Sequence, residues 1–385
     1  MRILHTSDWH IGRTFHGHPT LGALEGVLEA LTEIVREQSI DVVIVAGDVF
    51  DSATPSADAY RLLTRALTRL RETGVVIVAT SGNHDSAARL GFQSEFARLA
   101  GIHVLTSDET LDVPVTVDDD SGPVHIYGIP YLEPALIRHR YPDETLRTQA
   151  EAVAFAMRRV RADVDERGGR SVVVSHCFAQ GVADAASDVE RDITSGGIDL
   201  VPANVFEGVD YAALGHIHGR ARLTDSIRYS GAPLHYSFSE AGKPRGGWIV
   251  DLDAGGLAGV EWVDLPIPRR LSVVTGTLEE LLTDDAYADV EDDWVSAVLT
   301  DTVRPIDGMR KLQRRFAHCA AMVHEPAVVA DHGERTYAQR VQGKSDSEVV
   351  DEFLSYVRNG QGASDAESEI IGEAIAELRA AEASA

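Results

Sequence analysis

Five short polar motifs recur in the first 220 residues, each directly after a short apolar run. They are Asp8-Trp9-His10, Gly47-Asp48-Val49-Phe50-Asp51, Gly82-Asn83-His84-Asp85, Ser175-His176 and Gly215-His216-Ile217-His218. Together they offer carboxylates, one amide and several imidazoles, with no thiolate. An oxygen and nitrogen set of this kind suits Mn²⁺, Mg²⁺ or Fe²⁺ in roughly octahedral geometry better than a thiolate zinc site. It exceeds what one ion needs, whereas a pair of ions about 3.5–4 Å apart, bridged by one carboxylate, would use it fully. Asp48, alone between a glycine and apolar residues, is the natural bridge. Two divalent ions lower the pKa of a shared water and neutralise phosphate oxygens, so the chemistry on offer is phosphoester hydrolysis by a two-metal-activated hydroxide. No Ser or Cys in these motifs is placed to form a covalent intermediate.

Alone, Asp8-x-His10 and Gly47-Asp48 read as ordinary turns or caps, His216-x-His218 reads equally as a metal site or a surface turn, and Gly82-Asn83-His84-Asp85 is more specific, because Asn and His directly after a strand are poor β-formers with no packing role. Their order and their common position after β-branched runs change that reading. Strands are predicted at Arg2–Thr6, Asp41–Ala46, Val75–Thr80, Ser171–Ser175 and Tyr211–Leu214, with helices at Leu21–Gln38, Ser56–Glu72 and Glu151–Glu166 between them. Alternation of this kind predicts a layered α/β domain, in which the C-terminal strand ends converge on one edge. All five motifs then point at one place, and glycines 47, 82 and 215 are expected to let the backbone turn sharply there. Val113–Val117 and Val124–Ile129 read as a hairpin on this core.

Pro266 and Pro268 mark a change of texture. Beyond them a strand, helix, strand, helix and strand run from Leu271 to His324, a unit of about 65 residues and near the lower limit for independent stability. Two helical patterns follow, Asp346–Arg358 and Asp365–Ala380, with apolar stripes that can bury little against each other. The expected organisation is a core at 1–265, a small α+β domain at 266–330 and a linker with a helical tail at 331–385.

The 385 residues are 44% hydrophobic and 25% charged, an ordinary globular composition. No apolar run approaches the length of a membrane span, and Asp8 and His10 interrupt the early apolar run where a signal peptide would lie. A cytoplasmic location is expected. Cys177 and Cys319 are the only cysteines, too few for a disulfide framework or a cysteine-rich zinc site. A net charge of −26 argues against binding nucleic acid by broad electrostatics alone, so a DNA substrate would require local arginine patches or a partner. Arg61, Arg65, Arg69 and Arg71 share one predicted helix, whereas Thr277–Asp301 carries nine acids and no Lys or Arg.

The five motifs in this order resemble those of calcineurin-like metallophosphoesterases. The stretches "HTSDWHIGRTFHG", "AGDVFDSATPS", "SGNHDSAARL", "SHCFAQG", "GHIHG" and "YSGAPLHYSFSE" resemble the Mre-type nuclease branch, whose bacterial members are the nuclease subunits of SbcCD complexes. The resemblance spans nearly the whole chain and is most specific through about residue 240. It implies a layered β-sandwich core with flanking helices, a small α+β capping domain and a helical C-terminal tail. One ion would be held by Asp8, His10, Asp48 and His218, the other by Asp48, Asn83, His176 and His216. His84 matches the catalytic histidine, able to steady the phosphate or protonate the leaving oxygen, and Asp85 could orient its ring. Asp51 stands where archaeal and eukaryotic relatives carry a second histidine; it reads as a cap of the next turn, with assistance to His84 as the other reading. His16 and His18 read as loop residues, and Cys177, Trp9 and Phe50 as packing.

The resemblance further implies a Mn²⁺-dependent DNA nuclease, cutting duplex ends and single strands or hairpins, in DNA repair. Its partners would be DNA, an SbcC-type coiled-coil ATPase docked on the tail helices, and a second copy docked through helices around 56–72 and 88–100. Two other readings keep the same residues: a phosphodiesterase or phosphatase for nucleotides or other small molecules, and a DNA-end-binding scaffold with structural metals.

Overall fold

The computed structural model describes residues 1–180, 200–326 and 337–383. It divides into two units, Met1–Arg270 and Leu271–Ala385. The first unit is built on two six-stranded sheets. One runs, edge to edge, Gly256–Asp264, Gly246–Asp253, Arg2–Thr6, Val42–Ala46, Val76–Thr80 and Ile102–Leu105. The other runs Ala221–Arg222, Ile227–Tyr229, Tyr211–Gly215, Arg170–His176, Gly122–Ile129 and Val115–Asp119. In the first sheet Arg2–Thr6 through Ile102–Leu105 pair parallel while Gly246–Asp253 and Gly256–Asp264 join antiparallel on the other side, and in the second sheet the inner pairs are parallel and the two edge pairs antiparallel.

The central strands read as unbroken apolar runs because both of their faces are covered. In the first sheet Ile3, Val42, Ile44, Ala46 and Val78 face Val124, Ile126, Val172, Val174 and Ala213 of the second. The alternate residues Leu4, Val43, Val45 and Ile77 pack outward against helices Leu21–Glu37 and Ala57–Glu72. On the far side, Tyr127, Val173, Ala212 and Leu214 pack against helix Gln149–Arg167, which opens with a capping box at Thr148 and Glu151. The layers are therefore helix, sheet, sheet, helix, matching the predicted sandwich.

Several elements depart from the sequence reading. The strands Ile102–Leu105 and Gly256–Asp264 and the small hairpin Thr14–Phe15 with His18–Pro19 were not anticipated. The helix expected around 88–100 is two short pieces, Ala87–Leu90 and Ser94–Leu99. Gln93 between them adopts φ +63°, and Gly91 sits so near Thr106 that a Cβ there would lie 2.5 Å from its Oγ1. The left-handed backbone at Gln93 is what interrupts a continuous helix there.

The second unit holds a three-stranded parallel sheet, Leu271–Gly276, Trp294–Leu299 and Cys319–His324, with a core of Val274, Leu281, Val295, Leu299, Leu312 and Phe316. Helices Asp346–Val357 and Asp365–Ala383 run antiparallel, tied by Arg379–Asp346 at 2.7 Å and Arg358–Glu367 at 2.8 Å. Neither contains a fully buried residue, and Phe353, Tyr356, Val357, Ile370 and Leu378 remain exposed. The linker expected near 331–336 lies outside the described residues.

Candidate metal centre

The motif residues gather at the C-terminal ends of the central strands, where Gly215 and Ala46 of the two sheets come into close contact. Gly215 and Gly82 hold negative φ, so their role is close approach rather than the sharp turn expected of them. A Cβ on Gly215 would lie 1.8 Å from the Ala46 carbonyl across the sandwich, and one on Gly82 would lie 2.1 Å from Asp48 Oδ1. Gly47 does both, with φ +76° and a Cβ position 2.3 Å from His176 Nδ1. Gly215→Ala is accordingly expected to cost about 1–3 kcal/mol or more, because backbone rather than a flexible side chain must give way. Urea unfolding measures that cost, and wild-type stability in the variant would contradict the packing.

Asp8, His10, Asp48 and His216 all adopt positive φ, at +53°, +44°, +47° and +108°. Backbone strain of this kind persists only where the surroundings over-determine it, and it clusters at functional sites. Here the first two ligand loops hold each other: Asp8 N–H donates to Gly47 O at 3.1 Å and His10 N–H to Asp48 O at 2.9 Å.

Among the described residues three groups of side chains have potential ligand atoms within 4.8 Å of one another: Asp8, His10 and His218; His10, Asp48 and His84; and Asp48, His176 and His216. His10 Nε2 stands 3.0 Å from His218 Nε2. Asn83 Oδ1 is 3.1 Å from His176 Nε2 and 3.0 Å from His216 Nδ1. Two ligand atoms held about 2.1 Å from one ion at right angles stand about 3.0 Å apart, so these spacings are those of neighbouring ligands on an octahedral cation. Asp48 Oδ2 lies between the two sets, 3.6 Å from His10 Nε2 and 3.3 Å from His176 Nε2. The donor set and its spacing fit two divalent ions sharing Asp48.

Burial keeps His10 and His216 neutral, each pushed down to about 3. His176 is opposed by burial too, yet the adjoining Asp48 carboxylate carries it up to about 9. Burial raises Asp8 to about 6. Packing carboxylates this closely in a dry pocket makes a site whose negative charge calls for cations.

Around these side chains lies a layer that the sequence reading missed. His218 Nδ1 faces Glu240 Oε1 at 3.3 Å, and the buried Glu240 also receives Arg245 at 2.7 Å and the Tyr236 N–H at 3.1 Å. Burial would raise Glu240, but His218 and Arg245 hold it down at about 2. His10 Nδ1 stands 3.3 Å from Asp51 Oδ1, which also contacts Arg13 at 3.2 Å. His176 Nδ1 donates to the Ala46 carbonyl at 3.0 Å. Asp51 thus backs the His10 imidazole rather than merely capping a turn.

His84 lies beside His10 with ring centroids 4.8 Å apart. Its Nδ1 donates to the Asp51 carbonyl at 3.0 Å, which leaves Nε2 for the pocket. Asp85, expected to orient this ring, does something else. Its carboxylate accepts the N–H groups of Val49, Phe50 and Gly82 at 2.9–3.0 Å and so staples the second and third motif loops together. A carboxylate engaged by three backbone donors points away from the neighbouring imidazole. Trp9 and Phe50 are buried as expected, and Cys177 is a buried free thiol. His16 and His18 are exposed on the small hairpin, His16 against Phe238. Arg220 lies over the Trp262 ring, and Arg222 pairs with Asp225.

Sandwich, converging strand ends and paired ligand groups define a metal-dependent hydrolase of phosphoesters. Residues 1–220 match the calcineurin-like phosphoesterase family, and residues 267–358 match the SbcD_C family, described as the type 5 capsule protein repressor C-terminal domain. The chain therefore belongs to the calcineurin-like phosphoesterase family, and it carries the C-terminal module of SbcD-type chains. Among solved structures it is similar to a dimetal phosphatase from Danio rerio, with 13% identity over 69% of this chain and 99% of that one and a TM-score of 0.40. It is also similar to the TT1561 protein of Thermus thermophilus, with 16% identity, 68% and 98% coverage and a TM-score of 0.38. GAP50 of the Plasmodium inner membrane complex shows 10% identity, 69% and 84% coverage and a TM-score of 0.38. Among the described residues no helix is long and apolar enough to cross a membrane.

Proposed function

We propose that this chain is the Mn²⁺-dependent nuclease subunit of an SbcCD-type DNA repair complex, acting in the cytoplasm on duplex ends, single strands and hairpins. The observation that carries this reading is the pairing of a phosphoesterase core with an SbcD-type C-terminal module on one chain. The tail helices support it further, because their exposed Phe353, Tyr356, Val357, Ile370 and Leu378 suit a coiled-coil ATPase of the SbcC type. Phe92 and Phe96, about three-quarters exposed, border a groove of about 500 Å³ over Phe50, Tyr60 and Leu63, and with the exposed Leu99 suit a second copy of the chain.

Asp8, His10, Asp48 and His218 would hold one ion, and Asp48, Asn83, His176 and His216 the other. Such ions supply neutralisation of the phosphate oxygens and a water of lowered pKa. The chain's own residues do the rest. The ligand loops, strapped by Asp85, fix where the phosphate can sit. The Asp51 carbonyl holds the His84 tautomer with its proton on Nδ1, so that Nε2 faces the substrate. In the imidazolium form, Nε2 delivers a proton to the departing oxygen.

The test is cleavage of a labelled hairpin and a linear duplex with Mn²⁺, Mg²⁺ or chelator, with and without the ATPase partner, beside a small chromogenic phosphodiester. Manganese-dependent DNA cutting that rises with partner and ATP is expected. Turnover of only the small ester, with DNA intact beside the partner, would move the chain to the small-molecule phosphodiesterases.

A further inference from the structure

The loop that carries His216 and His218 continues into Gly219 and Arg220, and nothing described above gives Arg220 a role. Its backbone is closely held. A Cβ on Gly231 would lie 2.5 Å from His218 O, 3.0 Å from the Gly219 carbonyl carbon and 3.1 Å from Arg220 N, so the chain around Gly231 packs directly on this stretch. The Ala232 N–H also donates to His218 O at 3.0 Å. Arg220 therefore projects from a fixed point, two residues beyond a side chain of the candidate metal centre.

Its side chain is exposed, yet it has a seat. Arg220 Cζ lies 4.9 Å from the centroid of the Trp262 ring. Trp262 in turn meets Trp248 edge to face, with centroids 4.9 Å apart, and Arg228 Cζ lies 4.6 Å over Trp248. Both indole N–H groups are engaged, Trp262 Nε1 donating to Asp264 Oδ1 at 2.7 Å and Trp248 Nε1 to Tyr229 O at 2.8 Å. Gly246 leaves the space that this stack needs, since a Cβ there would stand 2.6 Å from Trp262 Cζ2. Attraction to the face of an indole holds a guanidinium in place without consuming its N–H donors, which stay available to another acceptor.

Charge singles out the same residue. The chain carries a net charge of −26, and the arginines around the centre are matched by acids: Arg13 meets Asp51 at 3.2 Å, Arg245 meets Glu240 at 2.7 Å, and Arg222 pairs with Asp225. Among the described residues Arg220 makes no ion pair, and its contact is the Trp262 ring. A pre-seated guanidinium fork suits the paired oxygens of a phosphate.

We propose that Arg220, seated on Trp262, binds a phosphate next to the scissile one in the same strand, and so sets the register of a polynucleotide on the metal centre. This rests on the nuclease reading given above. Contacts of this kind position a strand without reading its bases. A small phosphodiester has no second phosphate and cannot use the contact, so Arg220 favours polynucleotides over small esters.

The test compares wild type, Arg220→Gln and Arg220→Lys as full-length chains with the ATPase partner and Mn²⁺. The substrates are a labelled single-stranded oligonucleotide and bis(p-nitrophenyl) phosphate. In Arg220→Gln, kcat/KM for DNA should fall about tenfold further than for the small ester, mostly through KM, as expected for losing one charge-assisted phosphate contact. The slope of log affinity for the oligonucleotide against log salt should become shallower by about 0.7, the share of one phosphate on a single strand. Arg220→Lys keeps the charge but not the fork, and should keep the slope while restoring only part of the affinity. Equal losses on both substrates, an unchanged slope in Arg220→Gln, or a slope lost equally in Arg220→Lys would overturn the proposal and leave the nuclease reading intact. A wild-type chain that turns over only the small ester would overturn both.

Discussion

Replacing His84 by Gln is expected to slow phosphodiester cleavage by about 10²–10⁴-fold, the usual contribution of a positioned proton donor. The number of ions bound should not change. The substitution keeps the backbone N–H that His84 donates to Asp48 Oδ1 at 2.9 Å, so the bridging carboxylate stays in place. Glutamine can still meet the Asp51 carbonyl, but it cannot carry a proton to a leaving oxygen. A substrate with a nitrophenolate leaving group needs no such proton and should lose far less. Equal loss for both substrates would instead assign His84 to phosphate positioning, and unimpaired DNA cleavage would remove it from the chemistry altogether.

Asp48→Asn should do more damage, by a different route. Asp48 is 2% exposed, with Oδ2 3.3 Å from His176 Nε2 and 3.6 Å from His10 Nε2, where it can serve both ligand groups. The amide preserves size and shape while removing the one charge that both groups share. Losing an outer partner of a ligand costs about 10–100-fold in affinity, and losing the shared ligand should exceed that. Equilibrium dialysis against Mn²⁺ should show fewer than two ions per chain, with cleavage falling accordingly. Full retention of two ions would show that Asp48 is not the bridge. The contrast with His84→Gln, where metal stays and chemistry fails, separates binding from proton delivery.

Much of this is legible in the chain itself. The central strands announce themselves because a chain segment covered on both faces must be apolar at every position, as in Val42–Ala46 and most of Arg170–His176. The ligands announce themselves because Asp, Asn and His directly after such runs have no packing role. The long helices carry their own periodicity and caps, as at Ser56 and Thr148. Short or edge elements were less visible. Ile102–Leu105 is too brief to show a pattern, and Gly256–Asp264 is an edge strand whose partial burial follows no alternation.

What the amino-acid order determined by itself was the set of candidate ligand groups and the strands that end in them, since each motif is contiguous and its meaning local. The tertiary structure alone decided which groups support them. Glu240 stands 22 residues beyond His218, and nothing in that spacing predicts their contact. Asp85 follows His84 directly yet serves three backbone N–H groups instead, and Gly215 is required by a carbonyl on the opposite sheet. Hydrogen bonding and close packing depend on distances in space that the chain sets only when both sheets have closed on each other.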